Sequence, residues 1–200
     1  MNFAQKTLPM EASKAVCDKT FLRMWQVVGN QVRKTGWPLY LHGPPGHGKT
    51  CFAALVYASS AGYGPNGSMW YTCRKLLGQL AMSRSNPDAV VEEFCRDGSF
   101  QSVDYWTAWN RLRTVGLVVI DDLGASPLTE VQSGLLCEIL DVRQSLKTII
   151  TGNLDRRKLS EFSDPRLVGR LCSGTDFSWS LVDRRVHGEF GVRPREGNLG

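Results

Sequence analysis

The sequence predicts an α/β domain in which strands alternate with helices around a parallel sheet. Three observations carry that expectation: a glycine-rich turn at 43–48 between a short apolar run and a helical stretch, and two later apolar runs, Val115 to Ile120 and Thr148 to Thr151. Continuous apolar runs of this length fit strands covered on both faces, as in a parallel sheet with helices on each side. Taken in order, residues 11–29 read as a helix with Val16, Phe21, Trp25 and Val28 on one side, ending near Gly29 and Asn30. Leu39-Tyr40-Leu41 is a strand, Lys49 to Ala58 a helix, Met69 to Thr72 a strand and Arg74 to Met82 a helix. Residues 88–113 read as helical with an interruption around Gly98. The Val115 to Ile120 strand, a helix over Leu128 to Gln144, the Thr148 to Thr151 strand and short helices at Arg156 to Phe162 and Pro165 to Cys172 complete the alternation. The last stretch, His187 to Gly200, is glycine-rich and reads as a loose tail.

Composition narrows the classes. With 200 residues, 42% hydrophobic and 22% charged, the chain is a single globular domain by expectation, and disorder, collagen-like repeats and coiled coil are excluded. The long charge-free stretch from Cys51 to Cys73 is interrupted by glycine, proline and serine, so no membrane span is expected. The N-terminal residues carry no apolar secretory core, which makes a cytoplasmic location the default. Cysteines at 17, 51, 73, 95, 137 and 172 form no C-x-x-C pair, arguing for reduced thiols over a zinc site. The net charge is +5, with seven basic and two acidic groups in residues 1–50 against two and five in 114–154. The basic segment is either a solvated face or a surface for nucleic acid or an acidic partner.

Gly43-Pro44-Pro45-Gly46-His47-Gly48-Lys49-Thr50 matches G-x-x-x-x-G-K-[ST] with a strand before it and a helix after it. Glycines there let successive N–H groups turn inward around a phosphate, and the helix start adds its positive dipole end. Lys49 suits the β- and γ-phosphates, and the Thr50 hydroxyl suits magnesium. Val115 to Ile120 then delivers Asp121 and Asp122, the second half of such a site, 72 residues after Lys49. Asp121 is placed to hold the metal and Asp122 to orient or deprotonate a water. Adjacent carboxylates repel unless a cation is near, so the pair itself points to one.

GPPGHGKT, LVVIDDLG with Pro127-Leu128, TIITGNLD at 148–155 and DPRLVGRL at 164–171 together resemble the AAA+ ATPases of the DnaC/IstB class, the helicase loaders and transposition helpers. The similarity in motif order runs from about Gly36 to Arg185. It implies a P-loop NTPase of AAA+ type, a three-layer α/β/α domain on a parallel five-stranded sheet, with ATP and Mg2+ as ligands. Its implied boundaries are an N-terminal helical segment at 1–35, an ATPase core at 36–186 and a flexible tail at 187–200. Residues 43–50, Cys51 and Arg184 are the implied nucleotide-binding set; Lys49, Asp122, Asn153 and Arg170 are the catalytic set; Thr50 and Asp121 are the metal set. In that scheme Asn153 touches the γ-phosphate or the lytic water, Arg170 reaches into a neighbouring subunit's nucleotide, and Arg184 approaches the nucleotide late in the chain. On the residues alone, Asn153 after Gly152 also reads as a turn residue, Arg166 rivals Arg170, and Arg184 and Arg185 also read as solvated.

Departures from the family pattern matter. Asp122 replaces the usual glutamate and is one methylene shorter. Few residues precede the first strand, so a separate partner-binding domain is expected to be missing or reduced to the 11–29 helix, and the helical lid to be reduced or absent. Trp106, Trp109, Arg111 and Arg113, with Arg74, Lys75 and Arg84, interleave aromatic and basic groups as single-stranded DNA binders do. Six basic and five acidic groups in 71–113 balance that, leaving core packing of the tryptophans open. The implied partners are a second copy of the chain, a replicative helicase or a transposase, and single- or double-stranded DNA, with no membrane. The leading expectation is a helicase loader. Its rivals are a transposition helper, a slow nucleotide-gated adaptor and a small-molecule kinase. No N-K-x-D sequence marks a guanine site.

Overall fold

The computed structural model describes residues 19–60, 67–94 and 100–179. The elements run α1 (Lys19–Thr35), β1 (Leu39–His42), α2 (Lys49–Ser59), β2 (Ser68–Thr72), α3 (Cys73–Ser85), β3 (Val91–Phe94) and β4 (Phe100–Val103). They continue with α4 (Tyr105–Thr114), β5 (Leu117–Leu123), α5 (Glu130–Val142), β6 (Lys147–Gly152), α6 (Arg156–Phe162), α7 (Pro165–Leu171) and β7 (Thr175–Ser178).

Successive strand side chains point to opposite faces, so the apolar runs divide between two cores. Leu39, Leu41, Leu117, Val119 and Ile149 pack with Val28 of α1 and with Phe52, Ala53 and Leu55 of α2. Tyr40, Val118, Ile120 and Ile150 pack on the other side with Leu76, Leu77 and Leu80 of α3, Leu112 of α4, Leu136 and Ile139 of α5, Leu159 of α6 and Leu167 and Leu171 of α7. Helices therefore cover both faces, as the runs required.

Among the described residues the sheet has the order β4-β3-β2-β5-β6-β1-β7. β2, β5, β6, β1 and β7 pair in parallel, which matches the expected five parallel strands. The total is corrected to seven by β3 and β4, an antiparallel hairpin added beside β2. The helical reading of 88–113 fails there for a physical reason. Adjacent glutamates favour a helix in local propensity, yet Glu93 is fully buried in β3 because tertiary partners satisfy it. Tyr71 donates its hydroxyl at 3.0 Å, Gln101 donates Nε2 at 3.1 Å and Arg111 pairs with it. The helix proper starts where Asp104 caps α4, accepting from the Thr107 N–H at 2.9 Å.

α1 also departs from expectation. It continues past Gly29 and Asn30 to Thr35, because Met24, Val28 and Val32 carry the apolar stripe onward at four-residue spacing. One helical glycine costs only about 1 kcal/mol against that burial. α5 starts at Glu130, two residues after the expected Leu128, because Thr129 and Gln132 form a reciprocal capping box. Residues 1–18 and 180–200 lie outside the described residues. So do most of the 1–35 segment's first half, the 187–200 tail, any lid, Arg184 and Arg185. No described helix is long and apolar enough to cross a membrane.

Candidate nucleotide site

β1 delivers the chain to the 43–48 turn and α2 carries it away, placing the turn at the carboxyl ends of the parallel strands, where ligands bind in sheets of this kind. Gly46 and Gly48 take left-handed conformations, φ 83 and 89, so the backbone curls instead of entering the helix directly. Lys49 is buried and donates from Nζ to the carbonyls of Gly43 at 2.7 Å and Pro44 at 2.8 Å. Its ammonium thus lies folded over the concavity of the turn. Pro44 and Pro45 are exposed at the rim, and Cys51 is buried in the first turn of α2.

Thr50 and Asp121 meet as expected, the Thr50 hydroxyl donating to Asp121 Oδ1 at 3.0 Å. The sequence reasoning missed a third member, Thr151 on β6. Its hydroxyl donates to the same Oδ1 at 2.5 Å and accepts the Asp122 N–H at 3.0 Å. The Asp121 carboxyl is held above the ordinary aspartate range by burial, which outweighs the hydrogen bonds from Thr151 and Thr50. Asp122 sits at the break in the β5–β6 register, exposed, with φ 67. An aspartate tolerates this left-handed conformation better than most residues, and the kink separates the exposed second carboxylate from the half-buried first.

The oxygen donors of Asp121 and Thr50 fit Mg2+, which takes one or two protein oxygens alongside phosphates and water. No group of three or more His, Cys, Asp or Glu side chains suited to a metal occurs among the described residues.

Burial of Asp121 makes a stability prediction. A raised carboxyl pKa in the folded state means that charge on Asp121 opposes folding, with stability lost as pH rises from 3.8 through the raised value. Asp121→Asn keeps the acceptor for Thr50 and Thr151 without the charge. Its ligand-free melting temperature is expected to exceed that of the wild type by a few degrees at pH 7.5, with the gain shrinking toward pH 4.5. A lower melting temperature at pH 7.5 contradicts this account.

Asn153 follows β6 directly and is half-buried. Its turn is anchored by a residue the sequence reading passed over: buried Tyr40 donates its hydroxyl to the Leu154 carbonyl at 2.6 Å. Arg170 is not brought to the turn. From α7 its Nε donates to Asp141 Oδ1 of α5 at 2.5 Å, an exposed pair. Arg166 is exposed on the same helix.

The mixed aromatic and basic set resolves into separate roles. Trp106 is 76% exposed, whereas Trp109 packs against the core and stacks on Tyr105. Arg111 pairs with buried Glu93, Lys75 with Glu92, and Arg84 with Glu138 at 3.6 Å. Arg74 and Arg113 are exposed. Carboxylate partners thus take up several of these basic groups, in keeping with the balanced charge of 71–113. Cys51 and Cys73 are buried and Cys137 and Cys172 partly buried, while Cys17 and Cys95 lie outside the described residues. His42 pairs with Asp176 at 3.0 Å on β7. A groove of about 430 Å³ between α1 and α2 is lined by Leu39, Leu117 and Ile149, away from the turn.

A parallel five-stranded core with a glycine-rich turn after β1 and an acidic residue at the end of β5 is an arrangement shared with known folds. No protein-family model matches the sequence, and no curated protein matches it. Among solved structures, DnaI is similar at 20% identity over 82% of this chain and 86% of that one, TM-score 0.61. A DnaC helicase loader is similar at 19% identity over 82% and 92%, TM-score 0.59. AMPPCP-bound DnaA from Aquifex aeolicus gives 15% identity and TM-score 0.62 over 88% of this chain, which spans about half of that protein (52%). The fold is thus that of DnaC-like and DnaA-like proteins.

Proposed function

We propose that this chain binds and hydrolyses ATP and uses it to control assembly on DNA or on a replicative helicase, in the manner of a helicase loader. The observation that carries the reading is the Thr50–Asp121 hydrogen bond at 3.0 Å, which joins the phosphate turn to the end of β5 beside a buried Lys49. The N–H groups of Gly43, Gly46, His47 and Gly48 bind phosphate oxygens, Pro44 and Pro45 having none to offer, and Lys49 exchanges the carbonyls of Gly43 and Pro44 for the β- and γ-phosphates. Thr50 and Asp121 hold Mg2+, which neutralises phosphate charge when bound. Asp122 orients or deprotonates water, Asn153 contacts the γ-phosphate or that water, and Arg170 acts on a neighbouring subunit's nucleotide. The fold likeness to proteins described as DnaI and a DnaC helicase loader supports the replication role. Exposed Trp106, Arg74 and Arg113 are the DNA-facing groups in this reading.

A second reading, a slow nucleotide-gated adaptor, is favoured by the exposed, kinked Asp122. Calorimetry with ATP and Mg2+ and a phosphate-release assay separate them. The expected result is binding by wild type, binding weakened roughly 10- to 100-fold in Lys49→Ala through loss of charge-assisted hydrogen bonds, and released phosphate with helicase or DNA present. Binding without any phosphate release selects the adaptor. No heat from folded wild type overturns both.

A further inference from the structure

Trp179 stands one residue past β7, fully buried, and touches the phosphate turn at both ends. Its backbone N–H donates to the His42 carbonyl at 2.7 Å. Its indole Nε1–H donates to the His47 carbonyl at 2.6 Å, across 132 positions of sequence. Its own carbonyl lies so near Gly43 that a Cβ there would stand 2.2 Å away. The ring is held by Phe52 of α2, with 4.8 Å between centroids. A free turn of this kind would leave its peptide planes open to rotation, because Gly43, Gly46 and Gly48 all have positive φ.

A trans peptide is planar, with its C=O and the following N–H on opposite sides. Drawing the His42 and His47 carbonyls toward Trp179 therefore turns the N–H groups of Gly43 and Gly48 away from it. We propose that Trp179 is a positioning residue for the phosphate turn, clamping both of its ends from outside so that its amides hold the orientation that takes a triphosphate. The inference rests on the reading of this turn as the ATP site and deepens it: phosphate affinity is set in part by a residue beyond the last described strand.

The test uses the full chain with ATP and Mg2+. Trp179→Phe keeps a ring against Phe52 and removes the indole donor; substitution by 3-benzothienylalanine keeps the ring's shape and removes the N–H, which guards against a folding defect. Both are expected to bind ATP about tenfold more weakly than wild type, the effect of one lost hydrogen bond in a dry site. Tryptophan emission of the wild type is expected to change on adding ATP, and that change to vanish in Trp179→Phe. Affinity within twofold of wild type in the benzothienylalanine protein overturns the inference, as does an undiminished emission change in Trp179→Phe. If the wild type itself gives no heat, it is the nucleotide reading that fails, and the clamp loses its object with it.

Discussion

Replacing Arg170 with alanine is expected to lower ATP hydrolysis by roughly 10³-fold or more, the scale of an arginine that neutralises transition-state charge, while ATP affinity stays within about twofold. The two halves of that outcome follow from placement. Lys49, Thr50 and Asp121 meet around the turn, whereas Arg170 sits on α7 with its guanidinium on Asp141 of α5. It therefore lies outside the group of side chains that meets at the turn, and in the proposed reading it acts on a neighbour's nucleotide. The ion pair does not prevent this. Both partners are substantially exposed, 35% and 41%, and solvent screening leaves such surface pairs weak, so in the proposed reading Asp141 is no obstacle to Arg170 turning to a phosphate. Two inactive proteins should then complement each other. Lys49→Ala keeps its arginine and Arg170→Ala keeps its turn, so an equimolar mixture should regain measurable phosphate release. No rescue, with both proteins folded, removes the shared site; loss of hydrolysis in Arg166→Ala but not in Arg170→Ala transfers the role one turn along α7.

The parts of this molecule legible in the sequence are those whose cause is local. The turn at 43–50 is written in consecutive residues, and the buried strands β5 and β6 announce themselves as unbroken apolar runs. Asp121 follows because a strand that must stay dry ends in a charge beside the turn. What escaped notice depends on partners far away in the chain. Glu93 looks helical until Tyr71, Gln101 and Arg111 surround it. Thr151 is an ordinary strand residue until Asp121 and the Asp122 N–H converge on its hydroxyl. β7 is only four residues long and carries no strong period; its pairing with β1 is what brings Trp179 against the turn. Local signals were also available and unused: Asp104, Thr129, Asp155 and Asp164 each cap the helix that follows.

Arg143→Met is expected to destabilise the chain by about 3–5 kcal/mol, a large share of the 5–15 kcal/mol typical of a domain. Arg143 is only 1% exposed and its fork spans three elements. Nε donates to the Thr148 hydroxyl at 2.9 Å, and the terminal nitrogens donate to the carbonyls of Leu112, Val115 and Lys147. Those carbonyls close α4, lead into β5 and open β6. Burial draws the guanidinium down to about 10, still charged at neutral pH, so the cation persists because carbonyl dipoles replace its hydration. Swapping a buried ion pair for apolar residues is often harmless because both partners leave together. Here all the partners but the Thr148 hydroxyl are backbone and cannot leave, so methionine strands several carbonyls at about 1–3 kcal/mol each. Lysine retains the charge with a single point of donors and cannot span the same carbonyls; Arg143→Lys should fall between methionine and wild type in urea denaturation. Because Val115 and Lys147 lie at the amino ends of β5 and β6, opposite the turn, ATP affinity of the folded fraction should stay at the wild-type value. A loss under 1 kcal/mol for methionine would mean that water reaches those carbonyls, and that this end of the sheet is held by packing alone.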